Sequence, residues 1–371
     1  MACPQAEVQG PVNVPVAALR SFIHDVLIAL GVPPADSPIC ADVLLTSDLW
    51  GIRSHGVAHL PMYHERIRRG VQKPVTSYDW IKETPTTAVV DGGGGMGMVA
   101  AHHAMELAIA KAREHGMGSV AVGNSSHFGI AGYYARMAAD QGMIGFSFTN
   151  AQPAIAPTHG VEPMLGTNPI AVGVPTDEPF PFLFDAATSV VARGKLEIAA
   201  RAQHPIPEGW VISYSGDQHL DSASADHAID RRHAALLPLG GRGELFGGHK
   251  GFGLATLVEI LCAALQNRPD FSPLSDFDEH GFRRVGHFFM AIDVDRFLPL
   301  AAFRQIVGRM LRDLRHSSRI PGEPRIYTAG EKEYEHALRA HEHGIEIPPA
   351  LQRALVTLCE QLKLPQQVFP S

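Results

Sequence analysis

Two of the twenty histidines stand where a side chain can move a proton. "RSHG" places His55 in a break between two helical runs, beside Arg53, Ser54 and Gly56. "NSSHFG" places His127 at a strand-to-helix junction, after Asn124, Ser125 and Ser126. Ligand sites of α/β folds form at such strand ends, and imidazole titrates near neutrality. Each ring is therefore either an acid/base or a side chain that caps or fills a turn. Asp185 ends the apolar run of "FDAATSVVARGK" and is expected to be partly buried, where it needs a partner. That partner is a histidine held in one tautomer, or a helix start at Ser189. His102, His103, His341 and His343 lie on helical runs, and H-E-x-x-H and Cys/His clusters are absent, so no metal site is expected.

Two glycine-rich stretches invite a nucleotide reading. In "VVDGGGGMGMVAAHHAM", Gly92, Gly94 and Gly97 fit G-x-G-x-x-G between a strand-like and a helix-like run. A dinucleotide fingerprint also needs an acid ~20 residues on to hold the ribose. The next strand, "SVAVGN", ends instead in Gly123 and Asn124. Asp91 also stands directly before the glycines, where its charge opposes a phosphate. This stretch reads as a turn feeding the helix that starts near Met98. The second stretch, "LGGRGELFGGHKGFG", lacks the G-K-[ST] of a Walker loop. Lys250 lies just ahead of a helix there, either facing a phosphate or solvated on a loop.

Periodicity supplies the elements that must position these residues. Val16–Gly31 has helical spacing; Ser37 and Pro38 read as N-cap and first position of a second helix to about Trp50; a third runs from about Val57 to Arg69. From about Thr86, β-type runs alternate with the helical runs Met98–His115 and Ile130–Gln141, which predicts an α/β layer fold. "NPIAVGVPT", "FPFLFDAAT" and "HFFMAIDV" add strands, and Leu254–Leu265, Ala301–Arg315, Glu331–His343 and Pro349–Leu362 add helices. Residues 1–13 read as a flexible tail, and 213–232 as a polar surface excursion.

The totals set limits. A chain of 371 residues makes one large or two ordinary domains. Its net charge of −7 and scattered basic residues argue against nucleic acid as a partner. The four cysteines are far apart, which fits a reducing compartment. The first basic residue is Arg20 and no apolar run reaches ~18 residues, so neither a signal segment nor a membrane span is expected, and the location is expected to be cytoplasmic.

Taken together, "GIRSHGVAHLPMY", "VGNSSHFGIAGYY", "MLGTNPIAVGVP", "FDAATSVVARGK", "PEGW", "LLPLGG", "GGHKGFGLATLVEIL" and "HFFMAID" resemble the malate/L-lactate dehydrogenase family. The resemblance runs from about Val14 to Leu362 and looks most like the malate-type members. It implies an unusual, non-Rossmann α/β fold that binds NAD or NADP, with N-terminal helices and a helical C-terminal segment. It implies interconversion of a small malate- or lactate-like 2-hydroxy acid and its 2-keto acid. Reduction of a cyclic imino acid, or ureidoglycolate or sulfolactate dehydrogenation, is the alternative, and a nucleotide-binding homologue without catalysis the remaining one. A homodimer with sites near the subunit interface is implied. The expected division is an N-terminal helical segment (14–80), a cofactor-binding region (81–285), and a C-terminal strand and helices (286–365) completing the N-terminal substrate domain.

Site residues follow from the resemblance position by position. His55 of Ser54-His55-Gly56 matches the proton donor/acceptor, a role assigned in other relatives to the histidine matched by His127. Asp185 matches an aspartate proposed to pair with that histidine and, with Ala186 and Ala187, to contact the cofactor. Lys250 and Gly251 match a second cofactor contact; Ser317, Ser318 and Arg319 match a third. Tyr63 matches a substrate-pocket tyrosine. One position departs: many relatives carry arginine four residues after the motif histidine, and here it is His59. Histidine makes a weaker, pH-dependent clamp for a carboxylate, leaving Arg53 or another arginine to take that part.

Overall fold

A computed structural model of the chain describes residues 10–201, 203–217, 221–266 and 284–365. Strand β1 (Val12–Val14) is followed by helices α1 (Val16–Ala29) and α2 (Ser37–Leu49). A 3-10 turn (Val57–His59) leads into α3 (Leu60–Arg68). The α1 positions Leu19, Phe22, Ile23, Val26 and Leu27 recur at helical spacing and are all buried. Ser37 lies inside α2 rather than at its cap: its hydroxyl is 2.8 Å from His24 Nδ1, and Asp36 takes the cap position.

The central unit contains β2 (Asp79–Glu83), β3 (Thr87–Asp91), α4 (Gly97–His115), β4 (Met117–Ser125), α5 (Ala131–Asp140), β5 (Met143–Thr149), β6 (Ile170–Val174) and β7 (Phe182–Ala186). Then come α6 (Arg193–Arg201), β8 (Val211–Ser213), α7 (Ser222–Asp230), β9 (Ala234–Leu236) and α8 (Gly248–Ala263). The chain closes with β10 (Val285–Asp293), α9 (Leu300–His316), α10 (Glu331–His343), β11 (Ile345–Ile347) and α11 (Pro349–Leu362).

Seven strands form one sheet in the order β2-β3-β4-β10-β5-β6-β7. Only β3 and β4 pair in parallel; α4 crosses between them. The α5 crossover leaves a one-strand gap between β4 and β5, and β10 fills it antiparallel to both. Glycines let helices sit close on one face: a Cβ at Gly118 would fall 2.2 Å from Ala108 O of α4, and one at Gly145 or Gly173 2.4 Å from Ala135 O of α5. The opposite face, with Phe146, Phe148 and Phe288, packs on Val258 and Cys262 of α8.

Strand β10 lies at the centre of the large sheet, and one hydrophobic core runs from Val14 through that sheet to Cys359. A second, smaller core gathers Ile155, Leu165, Leu196, Val211, Ile229, Leu236 and Ala255. Several expectations are corrected. Val12-Asn13-Val14 pairs with residues 345–347 instead of belonging to a tail; residues 1–9 lie outside the described residues. The excursion at 213–232 contains α7, capped by Asp221, whose carboxylate accepts from Ser224 N. Lys250 is inside the first turn of α8, not ahead of it. Gly248–Gln266 is also long and apolar enough, by length and composition, to cross a membrane. Here it packs on β4, β5 and β10, and it carries Glu259, buried between the amides of Asn150 and Asn168 at 2.9 Å each.

Candidate active site

The loop carrying His55 is tied to the end of α2. Asp48, buried there, accepts a hydrogen bond from Val57 N at 2.8 Å. A Cβ on Gly56 would fall 2.1 Å from Asp48 Oδ1, so the glycine of S-H-G is what lets the loop lie on this carboxyl. Burial raises the Asp48 pKa to about 7. The loop presents His55, whose Nδ1 is 2.8 Å from the neighbouring Ser54 hydroxyl, and then His59 at the start of α3.

The loop carrying His127 rests on the first glycine stretch. Gly97 N donates to Ser126 Oγ at 3.0 Å, and that hydroxyl donates to Gly95 O at 2.8 Å. A Cβ at Gly97 would lie 2.1 Å from Ser126 O and 2.7 Å from His127 O. His127 Nδ1 accepts from Gly129 N at 3.3 Å, which requires that nitrogen to be unprotonated. The fully buried Tyr63 hydroxyl, 2.7 Å away, must then donate to the same nitrogen, and the proton of the neutral ring sits on Nε2. Beneath lies His287, fully buried, with Ser125 and Thr149 hydroxyls each at 2.8 Å and its ring stacked on Phe128 at 4.5 Å.

These loops bring three imidazoles together. Ring centroids are 5.4 Å apart for His55 and His59, 4.9 Å for His59 and His127, and 5.6 Å for His55 and His127. Desolvation lowers the His55 pKa to about 4. It also places His127 well below its ordinary value, with the His59 and His55 charges adding to the effect. His55 and His127 are therefore neutral at pH 7. Among the described residues no group of three His, Cys, Asp or Glu side chains is placed to hold a metal ion.

Two expected members stand elsewhere. Asp185 Oδ2 accepts from Gly132 N at 2.7 Å at the start of α5, and no hydrogen bond or ion pair joins it to His55 or His127. Burial raises its pKa to about 6. His55 Nδ1 has the Ser54 hydroxyl as its hydrogen-bond partner, and Asp185 meets α5. Arg53 turns away to Glu346 at 2.9 Å, with both side chains about half exposed.

The two glycine stretches differ in what their amides do. In the first, Gly92 N meets Gly123 O, Gly93 N meets Asp91 Oδ1, Gly94 N meets Asn124 O, and Gly95 N meets Gly92 O. Met96 N meets Thr76 Oγ1 and Gly97 N meets Ser126 Oγ. All six donors are taken, so this turn has nothing to offer a pyrophosphate. In the second, the amides of Gly248 and His249 at the start of α8 have no acceptor among the described residues, and the exposed Lys250 is beside them. That donor set suits a phosphate. Gly251 has a packing reason as well: a Cβ there would fall 2.1 Å from Leu239 O.

Backbone bonds tie the chain near two of the expected cofactor segments to β7 and the turn after it. Leu239 N donates to Thr188 O, joining the segment after Asp185-Ala186-Ala187 to the one before Lys250. The stretch after Ser317-Ser318-Arg319 returns along β7 through Leu183 N to Ala329 O. Ser54 touches the same region, since a Cβ at Gly194 would lie 2.7 Å from its own.

One residue of this site escapes sequence reading. Asp48 is a helical acid whose burial appears only once the loop folds back on it.

The sequence profile described as malate/L-lactate dehydrogenase matches residues 14–356. Malate dehydrogenase of Pyrococcus horikoshii is 45% identical over 321 residues, covering 86% of this chain and 87% of the relative. L-sulfolactate dehydrogenase of Methanocaldococcus jannaschii is 37% identical over 345 residues, covering 93% and 96%. The crystal structure of malate dehydrogenase from Entamoeba histolytica superposes with a TM-score of 0.92 at 38% identity, covering 96% of this chain and 99% of that one.

Proposed function

Because the chain belongs to the malate/L-lactate dehydrogenase family, and is thereby an NAD(P)-dependent dehydrogenase of 2-hydroxy acids, we propose that it interconverts malate and its 2-keto acid with His55 as the acid/base. The observation that carries the assignment to His55 is the hydrogen bonding of the two rings. His127 Nδ1 is occupied by Tyr63 and Gly129, so its Nε2–H is a donor. His55 Nδ1 is held by Ser54; with Nδ1–H donating to that hydroxyl, Nε2 keeps the lone pair of a base.

In the oxidising direction His55 takes the hydroxyl proton while the His127 Nε2–H polarises the same oxygen. In reduction the protonated His55 returns that proton, and the His127 Nε2–H again donates to the oxygen. A nicotinamide cofactor, when bound, would take or supply the hydride at C2, while the protein positions and polarises the substrate. Lys250, Gly251 and the open amides of Gly248 and His249 are assigned to its phosphates. Asp185, Ala186, Ala187, Ser317, Ser318 and Arg319 line the remainder, and His59 and Ser54 face the substrate. A malate-like substrate is supported by the relatives acting on malate and sulfolactate, both small 2-hydroxy acids with a second anionic group.

We infer further that the protein works as a homodimer in the cytoplasm. Leu254, Leu257 and Ile260 form an exposed apolar stripe on α8, and Phe246 before it is 80% exposed, which suits a subunit contact. Cys40, Cys262 and Cys359 are free thiols, as in a reducing compartment.

The test is a panel of oxaloacetate, pyruvate, sulfopyruvate and Δ1-piperideine-2-carboxylate with NADH and NADPH. Oxaloacetate should give the highest kcat/KM; a clear preference for the cyclic imine overturns the hydroxy-acid assignment. His55→Ala should lower kcat by about 10²–10⁴-fold with cofactor affinity kept, and an unchanged kcat removes His55 from the role.

A further inference from the structure

We propose that His287 is a positioning residue of the site: from the central strand it fixes the loop that carries His127, and with it the place of the His127 Nε2–H at the substrate oxygen. This role rests on the reading above in which that N–H polarises the oxygen, and it names what keeps the donor in place. His287 lies on β10, paired with Thr149 of β5 on one side and Val122 of β4 on the other. Its contacts fall on the residues before and after His127. Nε2 is 2.8 Å from the Ser125 hydroxyl, the Ser126 backbone is a further hydrogen-bond partner, and the Phe128 ring lies on the imidazole at 4.5 Å and 8°. Tyr134 of α5 also holds Phe128, with its ring 4.9 Å away and its hydroxyl donating to Phe128 O.

Packing alone does not call for an imidazole here. His287 is fully buried, and a buried polar ring is costly unless its nitrogens find partners. Both do: Nδ1 is 2.8 Å from the Thr149 hydroxyl, which itself reaches Asn150 O at 2.9 Å and Gly286 O at 3.1 Å. The ring is thus a strut of fixed length between the sheet at Thr149 and the loop at Ser125. The backbone is shaped to receive it. Pairing of β10 with β4 steps from Val285–Ser125 to His287–Val122, so β4 carries one extra residue there, and Asn124 within that step has a φ of +48°. Such a bulge re-aims the side chains around it, and the next residue is Ser125, two before His127. A phenylalanine or leucine at 287 would fill the same space and lose both polar links.

The experiment uses the full-length enzyme with His287→Phe and His287→Gln. Phenylalanine keeps a ring on Phe128 and removes both hydrogen bonds; glutamine carries an amide to about the depth of Nε2, within reach of Ser125. Turnover of the best keto acid, NADH affinity, thermal stability and the nitrogen NMR signals of the His127 ring are measured. His287→Phe should lower kcat by about 100-fold, the scale of a misplacement by an ångström, keep NADH affinity within about twofold, and split or broaden the His127 Nε2–H signal. His287→Gln should recover about tenfold of that loss. A kcat in His287→Phe within about threefold of wild type overturns the proposal. So do equal losses in the two variants that track thermal stability, which is what a packing role alone predicts. A wild type that reduces no keto acid sinks the activity reading, and the His127 signal still decides: unmoved in His287→Phe it overturns the positioning role, split or broadened it upholds it. If His287→Phe does not fold, His287→Gln decides through the same signal, which upholds the role if displaced from its wild-type position and overturns it if unmoved.

Discussion

At the residue scale the chemistry depends on which ring nitrogen carries a proton. His55 and His127 were both visible in the sequence because each interrupts a periodic run beside small polar residues. Their difference was not visible. It arises from Tyr63, 64 positions before His127, and from the Gly129 amide, which together fill His127 Nδ1. The hydrogen bond that Asp185 makes was hidden for a similar reason: a side chain's partner is set by where its strand ends in space, and Asp185 on β7 accepts from Gly132 N. Tyr63→Phe removes one of the two donors to His127 Nδ1. One hydrogen bond of about 1.4 kcal/mol corresponds to a tenfold loss of kcat/KM, with cofactor affinity unchanged. Nitrogen NMR of His127 should then show mixed tautomers; a single Nε2–H form with full activity would mean that Gly129 alone suffices.

At the element scale the first glycine stretch supports a catalytic loop. Sequence alone argued against a phosphate site from Asp91 and the missing acid, and the six occupied amides supply the physical ground. What periodicity could not reveal is that α4 begins directly beneath His127. Gly97→Ala puts a Cβ 2.1 Å from Ser126 O, so the loop has to move by about an ångström, a misplacement that costs about 10²-fold in kcat/KM. Gly94→Ala is the matched control. It has open space around it but a φ of +69°, so it should lose about 1–2 kcal/mol of stability and keep kcat. Equal activity losses in the two variants would show that the turn acts through stability alone. The helices of this region were legible from spacing within a few residues, α10 and α11 to their ends. The central place of β10 was not, because its partners Val122 and Thr149 for His287 lie more than 130 residues earlier and no local signal names them.

At the scale of the whole molecule, the site leaves buried titratable groups in the core, and they act on stability with opposite signs. Burial lowers the His287 pKa from 6.5 to about 3, so its contribution is present above 6.5 and is lost as pH falls toward 3. His55, lowered to about 4, adds to that acid lability. Asp48 is raised from 3.8 to about 7, so its contribution is complete below 3.8 and is lost as pH rises through 7. Between pH 4 and 6.5 the native state holds the Asp48 proton while the unfolded chain holds the His287 proton, and the two slopes cancel. Asp48→Asn removes one of them and keeps an oxygen to accept from Val57 N. Relative to wild type the variant should gain about 1.4 kcal/mol per pH unit from pH 4 to 7, with a ceiling of about 4 kcal/mol. Its own stability should then fall more steeply than wild type's on acidification through pH 6 to 4. Denaturant midpoints at pH 4.5, 5.5, 6.5 and 7.5 measure this directly. A stability difference between the two proteins that stays flat across that range would mean that Asp48 is ionised in the folded state, and its hold on the histidine loop would then be a charge-assisted bond.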